Sequence, residues 1–249
     1  MGQLMNLPFF LKKGEKEEMG VSAILKKGGK DPFFDEQFKA LKAKFEYKVD
    51  MLKYKIVGIT SAIAGEGKTL ACANLAMNLA SSGRKKVLLV DVDLRKADLA
   101  RGLDIPPQPG LSEYLTGTVG LKDIIRNSFL PGMYVIAAGT KNAAPADLIA
   151  GEKFRSLISD IRDHFDIVIL DTPPILPVAD TIGLKDKVDG FIFIYRTAFT
   201  PHNMLKQAIE EIGEKNIIGV VLNGVEPHNE KYYKRYYGKY YQKSIENKD

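Results

Sequence analysis

Cysteine is nearly missing from this chain of 249 residues, where Cys72 stands alone. A single thiol excludes an intrachain disulfide and any site built on paired cysteines, such as an iron–sulfur carrier, and it suits a reducing compartment. Histidine is also scarce. His164, His202 and His228 lie far apart and form no metal-ligand spacing. No apolar run approaches the roughly 18–20 residues needed to cross a bilayer. The N-terminus shows no apolar signal segment followed by a small-residue cleavage site. A myristoylation start at Gly2 fails at Asn6, where Ser or Thr is required. The expectation is a soluble, cytoplasmic protein.

The 45% hydrophobic content is enough for one large domain with a well-buried core. The net charge of +5 is unevenly spread. Residues 1–55 carry 12 basic and 8 acidic side chains, residues 229–249 carry 6 and 3, and the stretch between carries 18 and 20. Basic ends suit an anionic membrane surface or nucleic acid. Solvated tails are the simpler reading, and no nucleic-acid partner is expected.

Residues 1–33 read as a flexible basic lead-in, 34–228 as one folded domain and 229–249 as a tail. Asp35 is placed to cap a helix running through Phe38, Leu41, Lys42 and Phe45. From Ile56 the pattern alternates between apolar runs and helical stretches. The runs are 56–60, 87–90, 134–137, 167–170, 191–195 and 217–222. Phe154, Leu157, Ile158, Ile161 and Phe165 fall at the spacing of a buried helix face. Runs rich in Val, Ile and Leu read as strands covered on both faces. The prediction is therefore an α/β fold with a mostly parallel sheet flanked by helices.

The strongest motif is Ala64-Gly65-Glu66-Gly67-Lys68-Thr69, set between a predicted strand and a helix over 70–80. Glycines let the backbone wrap phosphate oxygens, and the amides at the helix start add donors and a favourable dipole. These six residues and Leu70 are the candidate nucleotide contacts. Lys68 is expected to reach the β- and γ-phosphates and Thr69 to bind Mg²⁺. The usual first glycine of the phosphate loop is replaced by Ala62. Two further strands end in carboxylates, at Asp91-Val92-Asp93-Leu94-Arg95 and at Asp171-Thr172-Pro173-Pro174. In a parallel sheet those ends share an edge with the phosphate loop. Asp91, Asp93 and Asp171 can then hold Mg²⁺, directly or through water, or orient an attacking hydroxyl. Asn223 either approaches the adenine or serves as a turn or cap.

Six of the chain's 11 tyrosines fall between positions 232 and 241: Tyr232, Tyr233, Tyr236, Tyr237, Tyr240 and Tyr241. Basic residues are interleaved with them. An aromatic stripe four residues apart can pack a helix onto a domain. A phenol is also a phosphate acceptor, and beside a nucleotide site this cluster suggests self-phosphorylation.

Taken together, these motifs resemble the bacterial tyrosine kinases (BY-kinases) of capsule and exopolysaccharide synthesis, from about Phe34 to Tyr241. The phosphate loop is similar, although the family usually has Pro where Ala64 stands. The strand followed by D-x-D-x-R looks like Asp91, Asp93 and Arg95, and the second strand motif looks like 171–174. The resemblance implies a P-loop NTPase fold of the MinD/ParA type, with ATP-dependent autophosphorylation of the tail in trans, using ATP and Mg²⁺. It implies Lys68, Asp91, Asp93 and Asp171 as catalytic, with Asp91 the base or hydroxyl-orienting residue. Thr69, Asp93 and Asp171 would serve the metal.

The family's E-x-x-R-x-x-R, used in subunit contacts of a ring, aligns with Glu36, Lys39 and Lys42. Lysine keeps the charge but loses the planar fork of arginine, so a ring through this helix would be weaker. The implied partners are further copies of the chain, a separate membrane-spanning chain-length regulator that recruits it to the membrane, and a tyrosine phosphatase. The chain resembles the stand-alone form of the family. A MinD/ParA-like ATPase switch and a non-catalytic scaffold are the rival readings. The former would carry a lysine at position 63, where Ile63 stands, and MinD-like proteins end in an amphipathic helix that the tyrosine-rich tail does not match.

Overall fold

A computed structural model describes residues 32–142 and 144–224. Helix α1 (Pro32–Leu52) leads into β1 (Ile56–Ser61), then α2 (Lys68–Ala80) and β2 (Val87–Asp91). Three short helices follow, α3 (Leu99–Leu103), α4 (Leu111–Thr116) and α5 (Leu121–Ile124), and then β3 (Arg126–Asn127) and β4 (Met133–Ile136). After α6 (Pro145–Ala150), α7 (Glu152–His164) and β5 (Ile167–Asp171), a 3₁₀ turn (Ala179–Leu184) precedes β6 (Gly190–Arg196). The fold closes with α8 (His202–Ile212), a second 3₁₀ turn (Glu214–Asn216) and β7 (Ile217–Asn223). Among the described residues the sheet order is β3-β4-β2-β5-β1-β6-β7, and only the β3–β4 pair is antiparallel.

The strands are apolar throughout because they feed two cores. Side chains alternate across a pleated strand. Val57, Ile59, Val87, Leu89, Ile167, Ile169, Ile192 and Ile194 enter the core under α1 and α2. Ile56, Leu88, Val90, Val168, Leu170, Phe191 and Phe193 enter the opposite core, which α7 and α8 cover. Gly58 sits where a Cβ would stand 2.6 Å from the Phe191 ring, so the missing side chain admits that ring. The expected α7 face is observed, with Phe154, Leu157, Ile158, Ile161 and the adjacent Phe165 all buried.

Three expectations need correction. The first helix begins at Pro32, inside the stretch assigned to the lead-in, so Asp35 lies in its first turn and is not its cap. That helix also extends to Leu52, because Phe38, Leu41, Phe45 and Val49 continue one buried stripe, while Lys42 stays half-exposed. The run expected at 134–137 pairs one residue earlier, and β3 was not foreseen; two residues carry no readable period.

Candidate active site at the carboxyl edge of the sheet

The carboxyl ends of β1, β2, β5, β6 and β7 meet along one edge, and the loop from Ala62 to Gly67 rises from β1 between them. Gly65 and Gly67 take left-handed φ angles of 86° and 96°. At Gly67 a Cβ would lie 2.4 Å from Nδ2 of Asn223, so glycine is required on two counts. Helix α2 starts at Lys68 with no side-chain cap. Its first amides are free to receive an anion, and thirteen residues of aligned dipole stand behind them.

Glu66 braces this loop from within. Its side chain is fully buried and gathers three donors: the amide of Ile63 at 2.9 Å, the amide of Arg196 at 3.1 Å and the hydroxyl of Thr200 at 2.6 Å. Its backbone carbonyl accepts from Nδ2 of Asn223 at 2.7 Å. The Arg196 guanidinium donates to the Gly65 carbonyl at 3.0 Å and lies 4.8 Å from the centroid of the Phe199 ring. The carboxylate of Glu66 is thus occupied by protein groups, and what this residue can offer a nucleotide is its backbone amide. Asn223 ties the end of β7 to the loop.

Asp91 and Asp171 are paired directly across β2 and β5 and are 1% and 2% exposed. Asp91 accepts the amides of Asp93 at 3.1 Å and Leu99 at 3.2 Å, one on each carboxylate oxygen. Burial, then the neighbouring Asp171 charge, pushes its pKa well above the carboxylate range. Burial also lifts Asp171 from 3.8 to about 6, against the pull of the Lys68 ammonium and the Thr69 and Cys72 donors. Two carboxyls side by side in a dry edge resist ionising together. Asp93 is half-exposed and accepts the Lys96 amide at 3.1 Å. Lys68 is buried close enough to Asp171 to favour its anion.

The loop after β5 is pinned beneath the site. The Thr172 hydroxyl donates to the Ile59 carbonyl at 3.0 Å, and the Thr60 and Thr181 hydroxyls donate to the Pro173 carbonyl at 3.0 and 2.7 Å. Arg95 does not turn into the site. Its guanidinium forks onto the buried Asp180, at 2.7 Å from Nε and 3.1 Å from Nη2, and holds the D-x-D-x-R loop to the 3₁₀ turn after β5.

The expected residues Ala64 to Leu70, Asp91, Asp93, Asp171 and Asn223 are therefore brought to one edge. Glu36, Lys39 and Lys42 lie on α1, with Glu36 and Lys39 in an exposed ion pair at 3.6 Å. Tyr232, Tyr233, Tyr236, Tyr237, Tyr240 and Tyr241 lie outside the described residues. Sequence reasoning missed Arg196, Thr200 and Asp180. The one available signal was position: Arg196 and Thr200 follow a strand whose end lies on the same edge.

Among the described residues no three carboxylate, imidazole or thiol groups converge on one point. Mg²⁺ takes one or two carboxylates together with phosphate oxygens and water, and the Asp91–Asp171 pair lies beside the phosphate loop. The buried carboxyl pair, with its resistance to double ionisation, is the feature that a divalent cation would relieve.

A family of AAA domains matches residues 54–215. The tyrosine-protein kinase CpsD of Streptococcus agalactiae is 31% identical over 194 residues, covering 77% of this chain and 82% of that protein. The tyrosine-protein kinase ptk of Acinetobacter johnsonii is 31% identical over 212 residues, 84% of this chain, and the chain spans only 29% of that protein's length. Among solved structures, the kinase domain of the Escherichia coli tyrosine kinase ETK superposes with a TM-score of 0.79 at 26% identity, covering 92% of this chain and 93% of that one. The cell-division ATPase MinD of Pyrococcus furiosus superposes with a TM-score of 0.58 at 25% identity, over 68% and 71%. A braced phosphate loop facing paired strand-end carboxylates, in a chain so covered, places it in the bacterial tyrosine-kinase family of MinD-like P-loop proteins.

Proposed function

We propose that the chain is an ATP-dependent protein tyrosine kinase that phosphorylates its own C-terminal cluster in trans and so regulates capsule or exopolysaccharide production. The observation that carries this reading is the Asp91–Asp171 pair beside Lys68 at the mouth of the phosphate loop. The amides of the loop and of the start of α2, with the Lys68 ammonium, hold the phosphate oxygens and follow the charge of the migrating phosphoryl group. Asp91, pushed toward its protonated form while Asp171 is anionic, accepts or orders the phenol proton once that repulsion is relieved. The phenol oxygen forms the new P–O bond, and the bond to the β-phosphate breaks, releasing ADP. Thr69, Asp93 and Asp171 would hold Mg²⁺, which supplies charge neutralisation between the phosphates when bound.

The reading extends to partners. Further copies of the chain would present tails to one another, in a ring or a looser assembly. A separate membrane-spanning regulator would recruit the chain to the membrane, and a tyrosine phosphatase would reset it. No helix among the described residues is long and apolar enough to cross a membrane.

The test is incubation of purified protein with ATP and Mg²⁺, followed by mass spectrometry of the peptides spanning 229–249. Phosphotyrosine there is expected. ATP hydrolysis with unmodified peptides would instead indicate a MinD-like switch. Asp91→Ala should lower turnover by about 10²–10⁴-fold with far less change in nucleotide affinity. Equal losses in both would contradict its role in proton handling.

A further inference from the structure

The amino edge of the sheet, opposite the nucleotide site, carries a feature that phosphoryl transfer does not use. A cleft of about 480 Å³ opens there between the end of α1, the lead into β1, the turn before β2 and the start of β5. Lys53, Lys55, Arg84 and Lys85 line it, with Asp50 and Asp166. The two carboxylates are already engaged: Asp50 faces Lys85 at 3.5 Å, and Asp166 accepts the Lys86 amide at 2.7 Å. Lys55 donates to the Arg162 carbonyl at 3.1 Å. Lys53 and Arg84 are exposed and form no ion pair among the described residues. The cleft therefore presents excess positive charge at a place built of backbone turns and strand starts.

The solvent face of α1 beside the cleft is amphiphilic. Lys44, Tyr47, Lys48 and Met51 are spaced i, i+3, i+4, i+7 and so form one strip. Tyr47 is 69% exposed and Met51 53%, and Leu52 at the helix end is also exposed. Exposed apolar side chains flanked by lysines, next to a cationic cleft, have the composition of a surface that lies on a lipid headgroup layer. Lys44, Lys48, Lys53, Lys55, Arg84 and Lys85 exceed Glu46, Asp50 and Asp166 by three charges. Two copies meeting face to face through this surface would bring like charges together, and three exposed apolar side chains are too few to offset that.

We propose that this edge docks on an anionic phospholipid bilayer, with a lipid phosphate in the cleft and Tyr47, Met51 and Leu52 at the interface. Strands β1 and β2 rise about 3.3 Å per residue, so the nucleotide edge is held about 15–20 Å from the lipid, clear of the headgroups. This docking does not depend on kinase activity.

The test is co-sedimentation of the full chain with vesicles of phosphatidylcholine alone or mixed with phosphatidylglycerol, at two salt concentrations. Binding is expected only to the mixed vesicles and to weaken with salt. Near an anionic surface each basic side chain contributes about fivefold, the equivalent of ~1 kcal/mol. K53Q/R84Q should then bind about thirtyfold more weakly, and Y47S/M51S several-fold more weakly, with melting temperature and nucleotide affinity unchanged. If both variants bind like the parent, the basic sequence ends carry the lipid contact and the docking edge is overturned. If soluble glycerol phosphate saturates the cleft and mixed vesicles retain no more of the parent than neutral ones, the cleft is a free-anion site and the proposal fails. If the variants lower the oligomer mass in light scattering while vesicle binding persists, the surface is a subunit contact and the proposal fails equally.

Discussion

The two edges of the sheet are both rich in charged residues, yet they treat charge in opposite ways. At the carboxyl edge Glu66, Asp91 and Asp171 are buried, and each is met by amides, hydroxyls or Lys68. At the amino edge one fork is part-buried, Arg162 on Asp189 at 2.9 and 3.0 Å, but Lys53, Lys55 and Arg84 stay in water, and Lys53 and Arg84 are left without an ion pair among the described residues. Buried charge is costly unless its partners are fixed, so the first edge can afford little motion and is suited to positioning a reaction. Exposed charge costs almost nothing to hold and responds to salt, so the second edge is suited to contact with a larger surface.

Beside the loss of turnover expected of Asp91→Ala, the largest effect is expected at Lys68. Lys68→Met removes the charge that follows the transferred phosphoryl group while keeping the length of the buried side chain. Loss of autophosphorylation by about 10²–10³-fold or more is expected. Circular dichroism should be unchanged, and quantitative phosphotyrosine detection reads the loss. Near-parental labelling would remove Lys68 from the site.

The second effect is on stability, with a sign opposite to that on activity. Asp171 has its folded-state pKa raised to about 6 from an ordinary 3.8, chiefly by burial. Its contribution to stability is fully present below pH 3.8 and is lost as the pH rises through about 6. Ionisation therefore costs the nucleotide-free fold up to about 3 kcal/mol above that window. Asp171→Asn should recover part of this at pH 7.5 and little at pH 4, less whatever Lys68 loses with its counter-charge. Urea melts at the two pH values measure it. A variant destabilised equally at both would show that Asp171 is held by its donors more than it is strained by burial.

The comparison also explains what the sequence could reveal. Val87 to Val90 and Ile167 to Leu170 are apolar at every position because each residue enters one of two cores. That pattern, ending in Asp91 and Asp171, is local and was legible. Gly67-Lys68-Thr69 was legible for the same reason, since strand, glycine turn and helix are contiguous. The brace was not, because Glu66 meets Arg196 and Thr200 across 130 and more positions. No periodicity encodes which buried hydroxyl a carboxylate will find. Likewise, Asp180 gave no sign that it holds Arg95, and the amino-edge cleft joins residues near 50, 85 and 166 that only the sheet brings together.

A third effect isolates that brace. Thr200→Val keeps the shape of a buried side chain and deletes the 2.6 Å donor to Glu66. A buried hydrogen bond to a charged acceptor is worth about 1.5–3 kcal/mol. The Arg196 and Ile63 amides still hold Glu66, so the low end is expected. Nucleotide affinity should fall about tenfold, read by fluorescent-nucleotide titration, and Thr200→Ser should restore it. Failure of serine to rescue would mean that the methyl group of Thr200, and so its packing, is what matters.

The smallest stability effect is expected on α1, where the charges are exposed as at the amino edge. Glu36 and Lys39 pair at 3.6 Å with both side chains about half or more in solvent. Such i, i+3 pairs contribute about 0.2–0.5 kcal/mol. K39A/K42A should therefore melt within about a degree or two of the parent. Its value lies in separating fold from assembly. If these lysines serve a subunit contact as the family's arginines do, the variant should show a lower mass in light scattering. It should also show slower autophosphorylation at low protein concentration, with the deficit closing as concentration rises. A single-turnover defect that persists at every concentration would assign the lysines to the reaction. An unchanged mass with unchanged concentration dependence would leave this helix face as solvated charge, and the trans contact would have to be sought elsewhere on the surface.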